Sequence, residues 1–159
     1  MKRVRRALGC LALFVVLFIV VSQLTIRVAN DHIAKELERK LRSCPLPTDA
    51  QLLDSAAIAG KMEGNGNGMQ WFGILLIKSS MSEEELTEWF EKRITVEAGT
   101  EYIWVMKQDT PTIFDYSHFQ FQNYSDDNDC YQIRLARYSV AGLESSLWEQ
   151  ILNGDLRGH

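Results

Sequence analysis

From Leu8 to Ile26 the chain is apolar around the whole helical circumference, interrupted only by Ser22, Gln23 and Thr25 and carrying no charge. At 1.5 Å per residue this run covers roughly 28 Å, close to the ~30 Å hydrocarbon core of a bilayer. A soluble helix apolar on all sides needs a large protein around it, and the rest of this chain is too short to supply one. The pattern therefore predicts a transmembrane segment at residues 8–26. The run is longer than a signal-peptide core, and Val20 and Ser22 fit a small-x-small cleavage site only loosely. It also passes into the next segment without a Gly or Pro break. An uncleaved signal anchor is the expected form.

Lys2, Arg3, Arg5 and Arg6 precede the run, so residues 1–7 are expected as a cytoplasmic basic tail and the remainder as extracytoplasmic. Arg27, Lys35, Arg39, Lys40 and Arg42 follow it and partly oppose that bias, diluted by Asp31, Glu36 and Glu38. Cys10 stands near the start of the run rather than at its end, which does not suit a lipoprotein acceptor.

Between Arg27 and Arg42 the composition turns to Ala, Glu, Lys, Arg and Leu, with Ile33, Leu37 and Leu41 at four-residue spacing. This predicts a juxtamembrane stalk helix over 27–43 whose stripe packs on its own domain or, without a sustained heptad, less favourably on a second copy. Cys44-Pro45-Leu46-Pro47 ends it, because proline lacks the N–H donor and restricts the residue before it. The outer domain is expected over 44–159.

Within that domain, Leu52 to Met62 reads as a strand, Gly64 to Gly68 as a hairpin loop, and Met69 to Ile77 as a central strand covered on both faces. Ser82 and Glu85 form a capping box, with Met81 as a staple, ahead of a helix burying Leu86, Trp89, Phe90 and Ile94. Further strands are expected at Tyr102 to Met106, around Ile113 to Tyr124, and at Ile133 to Arg137. Leu143, Leu147 and Ile151 mark a last helix stopped at Asn153-Gly154. The order β-β-α-β-β-β-α implies an α+β fold, a largely antiparallel sheet with helices on one face.

The sequence of 159 residues is 46% hydrophobic and 24% charged, which suits one ordinary domain beside the membrane segment. Four of the 17 basic residues precede the apolar run, so the 13 that follow face all 21 acidic ones, a formal charge of −8. Such a domain repels phosphate backbones, and nucleic acid is not an expected partner.

Candidate chemistry is sparse, and no catalytic residue, metal or cofactor is assigned. Asn65 and Asn67 in the glycine-rich loop and Asp126, Asp127 and Asp129 in the acidic turn are the candidate ligand-binding residues. The loop lacks the Lys and Ser/Thr of a P-loop, and the turn lacks the Gly and Glu of an EF-hand. His32, His118 and His159 have no zinc-site spacing. Cys44 and Cys130 are the two cysteines outside the membrane segment; they form either a disulfide, which an extracytoplasmic location permits, or two buried free thiols.

The succession of Cys44-Pro45-Leu46-Pro47, Asp54-Ser55, Gly60-Lys61, the Gly-Asn loop with Met69-Gln70-Trp71-Phe72-Gly73, and the Ser82 helix resembles small uncharacterised membrane-anchored proteins of Gram-positive bacteria over residues 44–92. The resemblance implies a membrane location and a domain of unknown function, and brings no catalytic residues. The leading expectation is a noncatalytic envelope protein whose outer domain binds a protein, peptide or small ligand. The alternative is an extracytoplasmic hydrolase or metal-assisted enzyme, its Gly-Asn loop and acidic turn meeting at one end of the sheet.

Overall fold

The computed structural model describes residues 2–63, 68–115, 117–126 and 129–139. Its elements are α1 (Lys2–Arg42), β1 (Gln51–Gly60), β2 (Gln70–Lys78), α2 (Glu83–Glu91), β3 (Glu101–Lys107) and β4 (Cys130–Tyr138). They form the α+β fold that the hydrophobic pattern predicts.

The apolar run and the polar stretch after it are one helix of 41 residues. Its apolar part is long enough to cross a membrane, and none of that part is buried by the protein. From Asn30 onward the same helix belongs to the domain core: Ala34, Leu37 and Leu41 are buried, with Ile33 packed beside them. The Ile33, Leu37 and Leu41 stripe thus packs on its own sheet.

The four strands pair antiparallel in the order β1-β2-β4-β3, which puts β2 and β4 inside. This explains the near-continuous hydrophobicity of β2, since alternate residues enter two different cores. Trp71, Leu75 and Ile77 join Ile133, Leu135 and Val105 beneath α1 and α2. Phe72, Ile74 and Leu76 point the other way, toward Ile113, Phe114 and Phe121.

Close approach of α1 depends on Gly73. A Cβ there would stand 2.7 Å from Glu38 Cα and nearer still to Leu37 C and Glu38 N. Polar contacts fix the helix along its length: Trp71 Nε1 donates to Asn30 Oδ1 at 2.9 Å, and Ser55 Oγ donates to Glu38 Oε1 at 2.6 Å. Lys40 Nζ lies 2.6 Å from the buried Glu101 carboxylate, whose other oxygen accepts from Arg137 at 2.6 Å. Burial pushes the Glu101 carboxyl up, but the hydrogen bonds from Lys40 and Arg137 outweigh it and hold the group below its usual range.

Helix α2 forms where its signals place it. Glu85 N donates to Ser82 Oγ, Ser82 N donates to Glu85 Oε2, and Leu86 and Phe90 face the core. Ile94 is buried just beyond, while Trp89 is half-buried and donates its Nε1–H to Pro45 O at 2.9 Å.

The stretch from Ile113 to Tyr124 differs from expectation: its described residues form no strand and carry one isolated bridge, Thr112 to Gln120. Ile113 and Phe114 are both buried although adjacent, which an alternating strand does not allow. The segment lies across the second face of the sheet and inserts its apolar side chains there instead of pairing at an edge. The helix expected around Leu143, Leu147 and Ile151 lies outside the described residues.

Candidate functional site

The second face of the sheet holds a cavity of about 480 Å³ bounded by residues 106–115. Pleating directs Gln132 and Arg134 of the internal strand β4 to this face, along with Ala136 and Tyr138. Gln132 is fully buried and Arg134 is 6% exposed, and both line the cavity. Met62, Glu63, Met106, Lys107 and residues of the 108–115 segment complete its wall.

Arg134 is held on several sides. One terminal nitrogen is ion-paired with Glu63; the other donates to Ile113 O at 2.5 Å and Gln132 Oε1 at 3.0 Å. The guanidinium carbon lies 4.3 Å from the centre of the Phe114 ring, a cation–π arrangement. Burial lowers the Arg134 pKa, opposed by Glu63, Tyr138 and Asp115, and the group remains protonated at neutral pH. Among the described residues, its Nε has no hydrogen-bond partner.

Glu63 is positioned from the neighbouring strand. The Gln70 carboxamide accepts from Met62 N at 2.7 Å and Glu63 N at 2.8 Å, and donates to Glu63 O at 2.6 Å. Gln70 thereby shapes the exit of β1 so that the Glu63 carboxylate reaches Arg134. Tyr138 Oη donates to the second Glu63 oxygen at 3.3 Å. Burial and then the Glu63 charge push the Tyr138 hydroxyl up to about 12, so it is a donor, not a base, at neutral pH.

The sequence-predicted candidates stand elsewhere. Asn65, Asn67 and Asp127 lie outside the described residues; Asp126 and Asp129 are exposed. Asp129 abuts the start of β4, where Cys130 pairs with Lys78, whereas Glu63 and Gly68, which flank the glycine-rich loop, lie near the Gly60 and Gln70 end. Eight residue steps along β2 separate the two ends by roughly 26 Å, so the acidic turn and the flanks of the loop do not meet. His118 is exposed beside Phe119, and His32 pairs with Glu36 on α1. Among the described residues, no group of three His, Cys, Asp or Glu side chains is arranged to hold a metal ion.

Of the two alternatives for Cys44 and Cys130, the structure shows the pair of buried thiols, with no disulfide between them. Cys44 belongs to the core under α1, and Cys130 to the core on the opposite face of the sheet. A disulfide needs Cα atoms about 4.4–6.8 Å apart, and these two are divided by the sheet. Burial raises the Cys44 pKa against the charge of Arg93, which leaves the thiol protonated and unreactive.

Sequence reasoning missed Glu63, Gln132 and Arg134. The alternation of Gln132, Arg134, Ala136 and Tyr138 was legible, but it reads equally well as a solvated strand face. Only the cover supplied by residues 108–115 turns it into a wall. No family model, curated protein or solved structure matches the chain.

Proposed function

We propose that this chain is a single-pass membrane-anchored envelope protein whose outer α+β domain is a noncatalytic binding module working at the membrane surface. Residues 1–7 lie in the cytoplasm, 8–26 cross the bilayer, and the domain stands outside. The observation that carries this reading is the continuity of α1: an uncovered apolar cylinder passes without a break into the buried core of the domain.

Leaving that cylinder in water is untenable, since each large apolar side chain gains about 1.5–3 kcal/mol on burial. A membrane covers it. The first buried residue of the described helix, Asn30, follows Ile26 by about 6 Å, so the domain is held against the headgroup layer without a free stalk. A rigid module so placed suits capture of a protein, peptide or small ligand close to the bilayer. The cavity beside Arg134 is its candidate site.

Protease treatment of intact cells or right-side-out vesicles tests the placement. Digestion of the domain from outside, with the helix left in the membrane, is the expected result. Full protection in vesicles that are cleaved once opened inverts the topology and overturns the extracytoplasmic assignment.

A further inference from the structure

The cavity bounded by residues 106–115 has one unpartnered and one weakly bonded donor at its buried wall, and Asp109, Asp115 and Lys107 at its rim. Arg134 Nε, in a side chain only 8% exposed, has no acceptor among the described residues, and such an unmade bond costs about 1–3 kcal/mol. Two positions earlier on the same strand face, Gln132 Nε2 reaches Ile113 O only at 3.5 Å, the outer limit of a hydrogen bond. Both residues line the same space. Asp109 and Asp115 also line it and are exposed.

This polarity selects among ligand classes. An apolar ligand leaves Arg134 Nε without an acceptor and Gln132 Nε2 with only its long bond to Ile113 O, and a simple cation places charge beside a guanidinium. A simple anion meets a rim at which Asp109 and Asp115 outnumber Lys107, while the Arg134 charge is already paired with Glu63. A molecule with a carboxylate at one end and an ammonium at the other satisfies both regions. The volume of about 480 Å³ lies within the range of small-ligand sites, roughly 300–1,000 Å³.

Building on the binding-module reading above, we infer that the cavity takes a small zwitterion, an amino acid or dipeptide. Its carboxylate accepts from Arg134 Nε and Gln132 Nε2, and its ammonium faces Asp109 and Asp115.

The test uses the full chain in lipid nanodiscs, titrated calorimetrically with the common L-amino acids and their alanyl dipeptides. Any binder is then compared with its carboxamide and its N-acetyl form. A dissociation constant at or below about 1 mM is expected for at least one zwitterion, weakened about tenfold or more by either modification. Gln132→Leu weakens binding similarly. The surface pair Asp109→Asn with Asp115→Asn weakens the zwitterion but not its N-acetyl form, and guards against a Gln132 variant that fails to fold.

Two results overturn the inference. In one, no member of the panel binds a chain whose tryptophan fluorescence shows it folded. In the other, a binder is indifferent to amidation and to these substitutions. Protease accessibility of the same chain in vesicles separates the failures: an outer domain that ignores the panel refutes the ligand class alone, and an inverted one refutes the placement.

Discussion

Replacing Gly73 by alanine should detach α1 from the sheet. A Cβ at this position runs into Leu37 C and Glu38 N and lies 2.7 Å from Glu38 Cα, all of them backbone atoms. No rotamer change relieves the overlap. The helix must move away by about 1 Å, which loosens Ala34, Leu37 and Leu41 and lengthens the Trp71 to Asn30 hydrogen bond. Overpacking of this kind costs typically about 1–3 kcal/mol, and contact with helix backbone instead of a flexible side chain places it at the upper end, about 3 kcal/mol. With a urea dependence of about 2 kcal/mol per molar, the unfolding midpoint of the domain should fall by about 1.5 M. Emission of the buried Trp71 reports the transition in full-length protein held in detergent. Gly9→Ala serves as control, because nothing lies near a Cβ at that position. A Gly73→Ala midpoint indistinguishable from that of Gly9→Ala would refute the close-packing argument.

Glu101→Gln removes the carboxylate that clasps Lys40 and Arg137, and denaturant unfolding at pH 7 should show a loss of about 2 kcal/mol, because both cations reach water once released. The folded-state Glu101 pKa is depressed, so its contribution is fully present above the unfolded value of about 4.3 and disappears as pH falls through the lower folded value. The wild type should therefore lose part of its stability below about pH 4. The Gln variant should lack that share of the acid limb, and equal slopes in both proteins would contradict the assignment. For the cysteines, mass spectrometry of chain alkylated under nonreducing, denaturing conditions should find Cys44 and Cys130 both modified. In the native state their labelling should lag behind that of the exposed Cys10 in detergent that leaves it accessible. Recovery of a Cys44 to Cys130 cross-linked peptide would refute the placement of these thiols in separate cores.

Features set by short-range physics were legible in the residues. The capping box of Ser82 and Glu85 needs only neighbouring atoms, and its helix forms where it is expected. The β2 run is too apolar to have a solvated face, so its central position followed from composition alone. The Ile113 to Tyr124 segment failed the same treatment, because His118 to Gln122 alternates over a stretch whose path is decided by the sheet beneath it. Arg134 was hidden for a related reason. An arginine between Ile133 and Leu135 reads as solvated until something is known to lie over it.

By itself the sequence determined the apolar span at 8–26, the α+β class, and the start of α2, since each rests on periodicity or on hydrogen bonds between neighbours. The tertiary structure alone decided three things. It made the polar half of α1 part of the core, through a glycine whose partner lies some 35 residues away in the chain. It put Cys44 and Cys130 on opposite faces of the sheet, because strand order and register assign faces. It also enclosed Arg134 with Glu63 and Gln132 in one cavity, because burial of a polar side chain depends on what the fold lays across it.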